Sequence, residues 1–136
     1  MERVKTEKMD MDNDTISMTY IICIDGKGYE IIFKASGDSL WRHTYNEQLI
    51  RLSVTIYPMT NDKRVVIKDG IGRDYYKGMT IVIWKRMLDA KNIMERRNLM
   101  QYDFTAEQVG MLRKVSQFID ARMNILNELK IVLGGV

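Results

Sequence analysis

The sequence predicts an α+β fold: a curved antiparallel β-sheet of four or more strands with an extra N-terminal hairpin, followed by one long C-terminal helix through which two copies pair. Three observations carry this expectation. Residues 104–133 read as a capped, uninterrupted apolar helix. Residues 15–88 alternate β-branched and aromatic runs with strong turn signals. Positive charge is concentrated in the middle of the chain, with net charges of −3 over residues 1–50, +6 over 51–97 and 0 over 98–136.

The helix is the firmest element. Thr105 is a good N-cap, because its hydroxyl accepts the free backbone N–H of Gln108, whose side chain reaches back in a capping box. Phe104 and Val109 have the spacing of a hydrophobic staple. Val109, Leu112, Val115, Ile119, Met123, Leu126, Leu129 and Leu133 recur at three- and four-residue steps, and Gly134-Gly135 is a stop signal. A second row, Met111, Phe118, Ala121, Ile125 and Val132, widens the apolar face. One part is expected to cover the sheet and another, around Phe118, Arg122, Ile125, Leu126 and Leu129, to meet a second copy. The alternative is a single deeper core in a monomer.

The chain has 136 residues, enough for one domain and a modest core, with 46% hydrophobic residues arguing against wholesale disorder. Residues 1–14 are polar and read as a flexible tail, and 15–136 as one domain. Thr15 to Ile24 is a strand, Asp25-Gly26-Lys27-Gly28 a turn, and Tyr29 to Lys34 the return strand. Ser36 to Glu47 reads as a loop holding Trp41, His43 and Tyr45. Gln48 to Tyr57 alternates, with Leu52, Val54 and Ile56 on one face and Arg51, Ser53, Thr55 and Tyr57 on the other. Pro58 ends it and Thr60-Asn61-Asp62 turns. Lys63 to Asp69 is the next strand, Gly70 to Gly78 a loop, and Met79 to Leu88 another strand. Ile93 to Tyr102 reads as either a further strand or a helix.

No apolar run is long enough to span a membrane, and Met1-Glu2-Arg3 opens no signal peptide. One cysteine, Cys23, makes no internal disulfide and reads as a small buried hydrophobe. These features point to an intracellular protein, in the nucleus if eukaryotic and otherwise in the cytoplasm. Enzymatic chemistry finds no footing. His43 is the sole histidine, no G-x-x-x-x-G-K motif occurs, and Asp10, Asp12 and Asp14 lack the glycine and closing glutamate of a calcium loop. No catalytic residue, metal or cofactor is expected.

From Arg64 onward the order of pieces is distinctive. A strand ends Ile67-Lys68-Asp69, and Lys77-Gly78-Met79-Thr80-Ile81-Val82-Ile83 runs into Trp84-Lys85-Arg86. A turn at Asp89 and a basic segment Met94-Glu95-Arg96-Arg97 follow, then Phe104-Thr105-Ala106-Glu107-Gln108 and an apolar helix with Leu112 and Ile119-Asp120. Over about residues 63–123 this resembles the Positive Cofactor Four family of transcriptional coactivators and their bacterial and viral relatives. The resemblance implies a curved sheet backed by a C-terminal helix, dimers formed through the helices, and a channel for single-stranded DNA.

The residue types suit that task. A basic groove neutralises phosphates, and exposed rings stack on unpaired bases at ~1–3 kcal/mol each. Arg51, Arg64, Lys68, Arg73, Lys77, Arg86, Arg96 and Arg97 are the candidate phosphate contacts; Tyr57, Tyr75, Tyr76 and Trp84 are the candidate stacking platforms. Lysines that merely solvate strands would give a similar pattern. The expected partners are single-stranded DNA, or RNA, a second copy, and transcription or replication proteins. The competing reading is an assembly subunit, viral in origin, that uses the wide helix to bind another protein.

Overall fold

Two tight turns set the sheet. Asp25 and Gly26 both adopt positive φ, of 50° and 80°, as a two-residue hairpin with right-handed strand twist requires. They join β2 (Thr15–Ile24) to β3 (Lys27–Gly37). Asn61 and Asp62, at φ 53° and 62°, do the same between β4 (Ile50–Thr60) and the short β5 (Lys63–Arg64). Asn and Asp are the side-chain-bearing residues that best tolerate this region. The computed structural model describes residues 2–12, 14–37, 50–100 and 103–133. The expected loop with Trp41, His43 and Tyr45 lies outside these residues.

The main sheet is antiparallel and curled. Its order is β1 (Glu2–Asp12), β2, β3, β4 and β5, with β8 (Met79–Ile83) also on β4. The strands β6 (Val66–Lys68) and β7 (Asp74–Tyr76) form a separate two-stranded ribbon. After β8 come a 3-10 turn, Lys85–Asp89, and three helices: α1 (Ile93–Met100), α2 (Ala106–Asp120) and α3 (Asn124–Leu133). The mixed content is that of an α+β protein.

Period-two alternation points one face of the sheet inward. Ile16, Tyr20 and Ile22, then Ile31 and Phe33, then Leu52, Val54 and Ile56, then Ile81 and Ile83 are buried in one core. Helices α2 and α3 cover that face with Leu112, Val115, Phe118, Ile119, Leu126 and Leu129. Tyr20 meets Phe118 edge-on, with centroids 5.2 Å apart, and Phe33 at 5.9 Å. The capping box at Thr105 and Gln108 is present, with bonds of 3.0 and 3.1 Å.

Several expectations need correction. Residues 2–12 form strand β1 rather than a loose tail, and every one of them is exposed, so no burial pattern marked them. The β2–β3 hairpin lies inside the sheet, between β1 and β4, and is no appendage. Strand β4 runs through Pro58. The Pro58 carbonyl faces β5, accepting from Val65 N–H at 3.1 Å, so its missing N–H lies on that side. The ladder to β3 is thus untouched. Within the expected loop 70–78, Asp74–Tyr76 is a strand, and β8 ends at Ile83 rather than Leu88. The ambiguous segment from Ile93 is helical. Cys23 is half-buried rather than buried.

The long helix is two. At residue 122 the α-helical bond to the Phe118 carbonyl is replaced. The backbone N–H of Arg122 donates to Ile119 at 2.9 Å, and its own guanidinium Nη1 donates to Phe118 O at 3.3 Å. That guanidinium lies 3.7 Å from the Phe118 ring centroid and 5.4 Å from that of Tyr20. The bend therefore comes from a side chain that takes over a backbone acceptor and stacks on the core.

Candidate nucleic-acid interface

With Leu52, Val54 and Ile56 facing the core, β4 presents Arg51, Ser53, Thr55 and Tyr57 on the outer face. Strand β8 pairs with it from Leu52↔Ile83 to Ile56↔Met79. The Thr55 and Thr80 hydroxyls meet at 2.9 Å in the middle. Ser53 and Val82 are buried beside them. The candidate residues consequently fall into two groups at opposite ends of β4 and β8, not one strip.

At the first end, the Tyr57 ring lies against Gly78, where an added Cβ would come 2.5 Å from a ring carbon. Arg64 stacks 4.0 Å from the Tyr57 centroid and 5.0 Å from that of Tyr76, and the two rings meet edge-on at 6.1 Å. Its Nε donates to Glu30 Oε1 at 2.5 Å. The adjoining ribbon is similarly self-paired. Asp69 accepts the backbone N–H groups of Ile71 and Arg73, each at 2.9 Å, and Arg73 Nε at 2.9 Å. The Arg73 backbone N–H, with these further donors, holds the Asp69 carboxyl below its ordinary range. Lys68 pairs with Asp74 at 3.1 Å, and Lys77 with Glu107. Tyr75 and Tyr76 are exposed. The cations here are largely matched by carboxylates of the same chain.

The second end differs. Trp84 closes β8 in extended conformation, at φ −82° and ψ 152°, and its carbonyl accepts Met87 N–H at 2.8 Å as the chain turns. The turn buries Met87 and leaves Trp84 48% exposed, with Arg86 also exposed. Trp84, Arg86, Leu88 and Asp89, with Asn127 and Lys130 from α3, line an open cleft of about 820 Å³. Arg51 stands one register step beyond Leu52↔Ile83, on the strand beside Trp84, and is exposed. Ring and cations thus share one rim, with Asp89 as the carboxylate of that lining. Asn127 and Lys130 were not among the sequence candidates. Helical spacing placed them on a polar face, but only the fold of α3 back over the sheet brings them to Trp84.

One arginine leaves the list of contacts, and a second is partly withdrawn. Arg96 is 4% exposed, and its Nε and Nη2 donate to the carbonyls of Met87 and Leu88 at 3.1 and 3.0 Å. Nη1 lies 3.9 Å from Asp120 Oδ1, which itself accepts Ile93 N–H at 2.7 Å. Burial lowers the Arg96 pKa, opposed by the Asp120 and Glu95 carboxylates. This side chain ties the 3-10 turn to α1 and α2. Arg97 is half-buried, donates to Asn98 at 2.6 Å, and has a guanidinium 5.8 Å from the Phe104 centroid. The expected dimer face fails similarly. Phe118, Leu126 and Leu129 lie in the chain's own core, Arg122 is stacked on it, and Ile125 packs against it. Most of the wide apolar stripe therefore belongs to one deep core, with Ala121 and Val132 of its second row left exposed.

No family model, curated protein or solved structure matches the chain. Among the described residues no helix is long and apolar enough to cross a membrane, and no group of three or more His, Cys, Asp or Glu is placed to hold a metal ion.

Proposed function

We propose that the chain binds single-stranded nucleic acid, DNA in the first instance, in the cleft at the sheet's rim between the 3-10 turn after β8 and helix α3. The observation that carries the reading is an exposed tryptophan sharing a cleft rim with Arg86 and Lys130. A base freed from pairing offers a flat face to the indole, and the two cations, with Arg51 nearby, neutralise the phosphates on either side. Paired bases offer no such face, so a duplex gains only the charge term. The resemblance to the Positive Cofactor Four family supports DNA as the ligand and transcription or replication as the setting. It also implied a channel across a free sheet, whereas here α2 and α3 cover the inner face, so this reading puts the ligand at the rim, where the 3-10 turn faces α3. Docking of another protein on the apolar helix face is the less favoured reading, since most of that face packs on the sheet and only Ile131 and Val132 of α3 stay exposed among its large apolar residues.

Fluorescence anisotropy with single- and double-stranded oligonucleotides at two salt concentrations tests the reading. Trp84→Ala is expected to weaken single-strand binding about 5- to 150-fold, the equivalent of one lost stacking ring at ~1–3 kcal/mol. Arg86→Ala is expected to reduce the salt slope by roughly one contact. Equal and feeble binding to both oligonucleotides, or a Trp84→Ala variant that binds like the parent, refutes it.

A further inference from the structure

Strand β1 stands at the margin of the sheet, 11 residues long and exposed throughout. A long open edge is a template for another strand. Its register with β2 sets which way its side chains point. Glu7, Met9 and Met11 lie opposite Tyr20, Met18 and Ile16, so they share the core-facing side. The helices do not cover them: Met9 is 56% and Met11 68% exposed. Lys8 and Asp10 share the other side, with Nζ and Oδ1 3.6 Å apart. A bulge at Lys5, between Val4 and Thr6, interrupts the strand and leaves Thr6 to Asp12 as its regular stretch.

We infer that β1 is the seam of a homodimer, pairing antiparallel with β1 of a second copy about a two-fold axis through Met9. Symmetry and charge together select this register. A two-fold axis normal to the sheet keeps inner faces together, so it must pass through a residue pair, not between residues. Centring on Glu7, Lys8 or Asp10 sets like charges against each other. Centring on Met9 sets Met9 on Met9, Lys8 on Asp10 twice and Glu7 on Met11 twice, and uses the whole stretch from Thr6 to Asp12. The bulge then ends the pairing, which blocks slippage to other registers. Pairing extends two curled sheets into one and covers Met9 and Met11 from the side. The Trp84 clefts lie on β8, beyond β4 and away from the seam.

The test is sedimentation equilibrium of the full chain over a range of concentrations. The parent is expected to dimerise. Lys8→Asp turns two attractive cross-strand pairs repulsive and is expected to raise the dissociation constant about tenfold or more. Adding Asp10→Lys restores opposite charge and is expected to bring it back within about threefold. Both positions are exposed, and circular dichroism confirms that each variant folds. A parent that stays monomeric up to ~1 mM overturns the proposal, including the case in which another protein takes the edge. So does a dimer indifferent to Lys8→Asp, or a loss that the double variant fails to rescue.

Discussion

Replacing Arg96 separates a structural cation from a binding one. Arg96→Met keeps most of the side-chain volume and removes the guanidinium. Two charge-assisted hydrogen bonds are lost, to Met87 O and Leu88 O. Each such bond contributes ~1.5–3 kcal/mol. The Met87 carbonyl keeps a second donor, the Ala90 N–H at 3.1 Å, so its loss is smaller. Asp120 keeps the Ile93 N–H at 2.7 Å but loses its neighbouring positive charge. Apolar packing of the methionine offsets part of this, leaving a net destabilisation of ~2–4 kcal/mol. That is a large share of a typical total of ~5–15 kcal/mol. Urea unfolding followed by circular dichroism reads it as a lower midpoint at unchanged slope. Under conditions where the variant is folded, its affinity for single-stranded DNA should equal the parent's. A loss below ~1 kcal/mol, or a folded variant with sharply weaker DNA binding, refutes the clamp.

Three other outcomes follow from named contacts. Gly78→Ala drives a methyl into the Tyr57 ring and should cost ~1–3 kcal/mol, and less in a Tyr57→Ala background, where the ring is gone and only the Ile56 carbonyl oxygen, 3.0 Å from the added carbon, still crowds it. Leu126→Asp places a carboxylate in the core and should unfold the chain rather than split a dimer, as circular dichroism would show; a folded monomer contradicts this. Burial raises the Asp120 pKa above the ordinary carboxyl value, opposed by the Ile93 N–H and by Arg96. A raised folded value means that the folded chain holds this proton more tightly than the unfolded one. The resulting stabilisation is complete below the ordinary value and lost as pH rises through the raised one. Asp120→Asn should abolish that step in urea midpoints measured from about pH 4 to about pH 7.

The local chemistry was readable from the chain. Alternation at Leu52, Val54 and Ile56, the turns at Asp25-Gly26 and Asn61-Asp62, the Thr105 cap and the sheet-facing row of the C-terminal helices all appear where the residues imply. What escaped depends on partners distant in sequence. The break at Arg122 needs Tyr20 and Phe118 as a stacking surface. Strand β1 buries nothing, so its backbone pairing leaves no hydrophobic trace. The site divides along the same line. Trp84 and Arg86 are exposed, but because the chain leaves β8 at Ile83 for a 3-10 turn, not through a strand phase that they share with the buried Val82. Arg96 and Arg97 look identical in sequence to solvated cations, and only the 3-10 turn and Asp120 make Arg96 internal. The pairing of Arg64, Lys68, Arg73 and Lys77 with carboxylates needs β3, the ribbon and α2 in place.

The cover that α2 and α3 give the sheet has a consequence for how the molecule opens. Among the described residues α2 and α3, with Met87 and Ile93 beside them, cover the inner face, and the helices bury their apolar row against it, so neither half keeps its core alone. Amide hydrogen exchange should therefore show β3, β4, α2 and α3 opening together, at the free energy of complete unfolding. The β6–β7 ribbon, with no buried side chain and held by ion pairs, its Asp69 turn and the exposed Tyr76 ring against Tyr57 and Arg64, should exchange far sooner.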